Sequence, residues 1–178
     1  MPNFKNTPNE FVEKDGKTRW LSRSLAVVVT VILNGEKALV VKRGHKISHP
    51  EKWCNPCGYL DWDESGTQAS MREVWEESGL DIGDIIENNP DSITFQSMME
   101  PWEIVTNPEL NHNQDVALYY GICIKSKKDP KIHIKNCEEG EILEAKWVKF
   151  EELKNYEFAF NHDKRILKYL NYIKKNEN

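Results

Sequence analysis

Between Gly58 and Leu80 the chain reads GYLDWDESGTQASMREVWEESGL. Five residues separate Gly58 from Glu64. Seven more separate Glu64 from the run Arg72-Glu73-Val74-Trp75-Glu76-Glu77-Ser78-Gly79-Leu80. From Ser65 to Ser78 there is no proline, and Gly66 falls only in the first turn, so the segment is helix-compatible. Glu64 and Ser65 stand where helix-starting acids and caps belong. Gly79 stands where a helix ends in a left-handed residue. With about 3.6 residues per turn, Glu73, Glu76 and Glu77 share one face. Ala69, Val74 and Leu80 supply apolar contacts elsewhere. Three carboxylates on one face repel one another, and a divalent cation removes that conflict. Oxygen-only ligands favour Mg²⁺ or Mn²⁺ over zinc. A solvated acidic face is the usual reading of a Glu-rich helix. The strand-loop-helix context and the full spacing favour a metal site here.

The rest of the chain frames that helix. Its 178 residues suit one domain with a real core, residues 21–178, preceded by a polar arm at residues 1–20. A net charge of −5 argues against a bulk binder of nucleic acid or membrane surface. The longest apolar run, Leu25 to Leu33, is too short to span a bilayer. Four cysteines without a signal-peptide core suggest reduced thiols and a cytoplasmic protein. Strands are expected at 24–33 and 37–43, joined by the turn Asn34-Gly35. Further strands are expected at 93–99, 116–124 and 145–148, with a closing amphipathic helix at 162–174. Strands interleaved with two helices give an α/β class, an α/β/α sandwich around a central mixed sheet.

Every defined position of the 58–80 segment fits the pattern G-x5-E-x7-R-E-U-x-E-E-x-G-U, with U aliphatic, so the chain resembles the Nudix hydrolase family. Coincidence would produce such a match about once in 10⁹ starting positions. The resemblance covers roughly residues 20 to 175. It implies a pyrophosphohydrolase: Mg²⁺-dependent (or Mn²⁺-dependent) hydrolysis of a nucleoside diphosphate linked to another moiety, by water attack on phosphorus. It implies Glu76 and Glu77 as core metal ligands and Glu73 as either a ligand or the general base. Arg72 would hold Glu73 by a charge-assisted bond. The backbone carbonyl of Cys57, just before the box glycine, would join the metal shell, and Glu64 would orient the loop. Some family members carry the base on a later loop. Glu141, six residues before Trp147, is the candidate, with Glu139 and Glu144 behind it. Lys42 and Arg43 close a strand that runs towards the site in this fold, with Arg43 as the candidate phosphate contact. Trp102, Tyr119 and Phe158 are candidates for stacking a base, although most aromatics in such a chain are core. Partners are then a small nucleotide, no nucleic-acid polymer and no membrane, with a homodimer admitted because family members often pair. No subfamily mark selects among nucleoside triphosphates, ADP-ribose, nucleotide sugars and dinucleotides.

Cys54-Asn55-Pro56-Cys57 is a C-x-x-C without the βαβ context of a thioredoxin motif. With His45 and His49 it puts four zinc-type ligands in thirteen residues, but the spacing fits no finger, so exposed histidines and buried thiols are expected instead. Trp53 to Gly58 also resembles type 1 isopentenyl-diphosphate isomerases, which carry a catalytic cysteine just before the box glycine. Tyr59 and Leu60 depart from their His-Pro, and the intact Arg72–Glu77 run departs from their degraded box. Hydrolysis is therefore expected, with isomerisation through Cys57 as the alternative.

Overall fold

The computed structural model describes residues 9–107, 115–134, 137 and 139–176. The expected arm contains a hairpin. β1 (Glu10–Lys14) and β2 (Lys17–Leu21) pair antiparallel across Asp15-Gly16 and form a sheet of their own. Both turn residues have positive φ, 54° and 69°, as a tight two-residue hairpin turn requires. Residues 1–8 of the arm lie outside the described residues.

The central sheet follows from two long apolar runs. β3 (Leu25–Leu33) and β9 (Val116–Ile124) lie side by side in parallel, from Leu25 opposite Val116 to Leu33 opposite Ile124. β4 (Lys37–Arg43) returns from β3 through the Asn34-Gly35 turn, and β10 (Ile142–Lys149) pairs antiparallel with β4. β7 (Ile93–Ser97) lies on the far side of β9, giving the order β10-β4-β3-β9-β7. Three short strands pair with this frame: β5 (Trp53–Cys54) with β4, β6 (Cys57–Tyr59) with β3, and β8 (Glu103–Val105) with β9. β3 and β9 pair in parallel and the other pairs of named strands among the described residues are antiparallel, so the sheet is mixed.

Helices cover both faces, which is why β3 reads as almost uninterrupted apolar sequence. Val27, Val29, Val31 and Leu33 point to the side of α1 (Gly66–Ser78) and α2 (Ile82–Asn88), where they meet Ala69, Val74 and Ile82. Ile32 points the other way, to Tyr169 and Ile173 of α3 (His162–Asn176). Ala38 and Val40 of β4 meet Ile166 of the same helix. This is the α/β/α sandwich expected, with the period of two placing alternate residues in opposite layers. No helix among the described residues is long and apolar enough to cross a membrane.

α1 begins and ends on its own sequence. Ser65 Oγ accepts the Gln68 N–H at 3.2 Å, and Gln68 Oε1 accepts the Ser65 N–H at 2.8 Å, a reciprocal cap worth about 1 kcal/mol. Gly79 closes the helix at φ 70°, its N–H donating to the Trp75 carbonyl.

Candidate active site

The acidic face of α1 is turned inward. Glu73 and Glu77 are 8% and 3% exposed, as buried as much of the core. The strand before the helix makes room for them. An added Cβ at Gly58 would lie 2.1 Å from Glu73 Oε1, so only glycine lets that carboxylate rest against β6. The Cys57 N–H donates to Glu77 Oε2 at 3.1 Å. Arg72 ties the remainder together. Its guanidinium grips Glu64 through two bonds, 2.6 and 3.0 Å, and reaches Glu73 at 2.8 Å and Glu76 at 3.0 Å. A fifth bond runs to the Tyr59 carbonyl at 3.1 Å. Glu64 also accepts the Asp61 N–H, so it anchors the loop and the arginine at once.

Such crowding has an electrostatic signature. Burial pushes Glu73 up to about 7, against the pull of Arg72. Burial also raises Glu77, helped by Cys57 and Glu73. Glu64, bonded to Arg72, is held below its ordinary value. The donor set is hard oxygen: three carboxylates, with the β6 backbone alongside. Carboxylates that resist ionisation because they are buried and stand close together are what a small divalent cation relieves, so these residues fit Mg²⁺ or Mn²⁺.

Glu73, Glu76 and Glu77 open onto a cavity of 720 Å³. Glu141 also lines it, at the start of β10 and close enough to raise Glu73 and Glu77. The two other loop glutamates do not. Glu139 is exposed, its carbonyl held by Lys46, and Glu144 pairs with Lys146 at the surface. Arg43 lines the cavity, with bonds to the Ser48 carbonyl at 2.6 Å and hydroxyl at 3.1 Å and its face on Phe160. Lys42 does not reach the cavity. Of the three aromatics, Tyr119 lines it beneath Arg165, whereas Trp102 packs among Tyr169 and Tyr172 and Phe158 is half-buried against the core.

Sequence reasoning missed much of the opposite wall. His162 and Arg165 come from the first turn of α3, Phe160 from the turn before it, and Asp115 from the entry to β9. Asp115 accepts the Tyr59 hydroxyl at 3.3 Å. Arg165 pairs with Glu103 at 2.9 Å. No local pattern flags these residues, because tertiary structure alone brings them to the acidic helix. His45 is at the surface beside Glu51, and His49 packs on Phe160.

A family model for the NUDIX domain matches residues 23–170. The m7GpppN-mRNA hydrolase NUDT17 of Danio rerio is 34% identical over 93 residues, covering 51% of this chain and 29% of that protein. The RNA pyrophosphohydrolase of Mesorhizobium japonicum is 34% identical over 73 residues, covering 36% and 41%. This chain thus spans well under half the length of these curated relatives. Among solved structures, a bifunctional NMN adenylyltransferase/ADP ribose pyrophosphatase from Francisella tularensis, complexed with AMP and a Mn ion, superposes with a TM-score of 0.62. It shares 19% identity over 84% of this chain and 42% of that one. The NUDIX domain of Shewanella oneidensis NrtR, complexed with ADP ribose, gives a TM-score of 0.60 at 17% identity, over 82% and 85%. At these identities the likeness is one of fold.

Proposed function

This chain belongs to the NUDIX family, and we propose that it is a pyrophosphohydrolase acting on a nucleoside diphosphate derivative through water attack on phosphorus. The observation that carries the reading is the buried carboxylate face of α1, held by Arg72 and open to a cavity large enough for a nucleotide. Glu76 and Glu77, with the Cys57 carbonyl, would hold Mg²⁺ or Mn²⁺, and Glu73 would serve either as a third ligand or as the general base. When bound, that ion would supply charge neutralisation at the diphosphate and would acidify a water.

The chain's own groups account for the rest. Arg72 fixes the rotamers of Glu73 and Glu76, so the carboxylates are positioned before substrate arrives. Glu73, held near neutrality at about 7, suits proton removal from the attacking water. Glu141 is the competing base, reaching the same space from β10. Arg43 and Arg165 supply positive charge on the facing wall, and Tyr119 and Phe160 supply ring faces. Residues 21–178 form the catalytic unit in this reading, with residues 1–20 an accessory arm. A reduced, cytoplasmic setting and a possible homodimer complete it.

The test is a substrate panel in ¹⁸O-labelled water with Mg²⁺. It includes nucleoside triphosphates, ADP-ribose, dinucleoside polyphosphates, nucleotide sugars, a cap analogue and isopentenyl diphosphate. One ¹⁸O should enter a phosphate of one product, and Cys57→Ala should retain most of the rate. Isomerisation of isopentenyl diphosphate that vanishes in Cys57→Ala, with no hydrolysis across the panel, would overturn the reading.

A further inference from the structure

Three of the four cysteines gather in one cluster beside the cavity, and Cys57 and Cys137 line it. Cys54 is fully buried, Cys57 and Cys137 pack on the same cluster, and all are free thiols. The sulfurs of Cys54 and Cys57 and a ring nitrogen of His162 all lie within 4.8 Å of one another. A tetrahedral zinc centre has metal–sulfur bonds of about 2.3 Å and metal–nitrogen bonds of about 2.0 Å, placing its donors roughly 3.5–3.8 Å apart. Modest side-chain adjustment would close the difference. The histidine comes from the first turn of α3, 107 residues after Asn55, whose N–H donates to its Nδ1 at 3.1 Å. The Nδ1 lone pair thus points into the Cys54–Cys57 turn, where it accepts the Asn55 N–H. Burial holds this imidazole neutral. Arg43 Nη1 lies 3.9 Å from Cys54 Sγ.

We propose that Cys54, Cys57 and His162 form a binding site for a thiophilic divalent cation of the zinc class, chemically distinct from the carboxylate face of α1. The donor sets differ in kind. Two thiolates and an imidazole select a soft or borderline ion, whereas the glutamates select a hard one. Binding releases the two thiol protons to solvent, and the resulting thiolates balance the charge of the ion. An ion bound at Nδ1 would displace the Asn55 N–H from that lone pair. His45 and His49, the histidines nearest in sequence, take no part.

The test uses the full chain, chelator-stripped, reduced with a phosphine and held in excess Mg²⁺ so that the carboxylates have their hard ion. Cobalt(II) is the probe. One equivalent should produce a thiolate-to-cobalt charge-transfer band with tetrahedral d–d bands, and Zn²⁺ should bleach both. Cys57→Ser and His162→Gln should lose the charge-transfer intensity or the tetrahedral pattern, and Glu76→Gln should keep both. Because His162 is buried and its variant risks misfolding, a second measurement uses the wild-type chain. One equivalent of Zn²⁺ should slow alkylation of Cys57, read by mass spectrometry, by about tenfold or more. No band in the reduced wild type, a full band in Cys57→Ser, or equal alkylation with and without Zn²⁺ would each overturn the proposal. None of these readouts needs turnover, so failure here is distinguishable from failure of the hydrolase reading.

Discussion

The two walls of the cavity are built in opposite ways. The acidic wall comes from one continuous stretch, Gly58 to Glu77, with Arg72 bonded to Glu64, Glu73 and Glu76 and the Cys57 amide bonded to Glu77. The facing wall is assembled from β4, β9 and the start of α3, and its charged groups already have protein partners: Arg43 has Ser48, and Arg165 has Glu103. A local motif can fix the geometry of a reaction because helix spacing sets every position. Recognition drawn from scattered elements can change one element at a time while the reaction stays the same. In the proposed hydrolase, damage to the first wall should therefore lower kcat, and damage to the second should mainly raise KM.

The largest effects should come from the base. Of Glu73→Gln and Glu141→Gln, the one that keeps Mg²⁺ affinity and loses about 10²–10⁴ in turnover carries the proton. If that proves to be Glu141, the division between walls is less clean, because a residue outside the local segment then performs the chemistry. Next come the ligands. Glu76→Gln and Glu77→Gln should each weaken Mg²⁺ binding and cut turnover by at least about 10²-fold. Neither should unfold the chain, since each removes a repelling charge. Normal rates at low Mg²⁺ in both variants would break the assignment of the acidic wall. On the facing wall, Arg165→Ala should raise KM roughly tenfold and leave kcat within a few-fold, measured by steady-state kinetics. A kcat collapse would mean that the second wall also takes part in the transition state.

The smallest effect is on stability. Glu73 titrates near 7 in the fold against an ordinary 4.5. Between those values the native chain holds a proton that the unfolded chain has lost, so unfolding free energy falls as pH rises. Glu77 acts in the same direction. Buried His162, held below its ordinary value, acts oppositely up to about pH 6.5, so in chelator melting temperature should drop from about pH 6.5 to pH 7.5, and the gain from added Mg²⁺ should be larger at pH 7.5. Glu73→Gln should flatten the metal-free slope. A metal-free protein with no such slope would show that the acidic wall is not under charge strain.

Legibility in the sequence followed locality. β3, β9, α1 and α3 were readable because burial on both faces, or a clean helical period, leaves a pattern within the element. β1 and β2 were not, since both are almost wholly exposed and carry no apolar alternation, although Asp15-Gly16 is a hairpin signal. α2 escaped because seven residues make two turns, too few for a period, even though Asp81 caps it. β10 proved longer than the expected 145–148 because a register shift between Ile142 and Glu144 hides its first residues. In the site the same rule held. Glu73, Glu76 and Glu77 share a face by spacing alone, whereas Phe160, His162 and Arg165 meet them only through the docking of α3 on the sheet.

The contact between Gly58 and Glu73 has an evolutionary consequence. Every missense change from a glycine codon adds at least a Cβ, and there the smallest one would strike a carboxylate held on its other side by Arg72. Position 58 therefore has no neutral mutational neighbour while Glu73 keeps its place. Cys57 has many, insofar as its backbone and not its thiol serves the hydrolytic site. Two adjacent codons in one strand would then drift at very different rates, with the slower one paced by a side chain on another element.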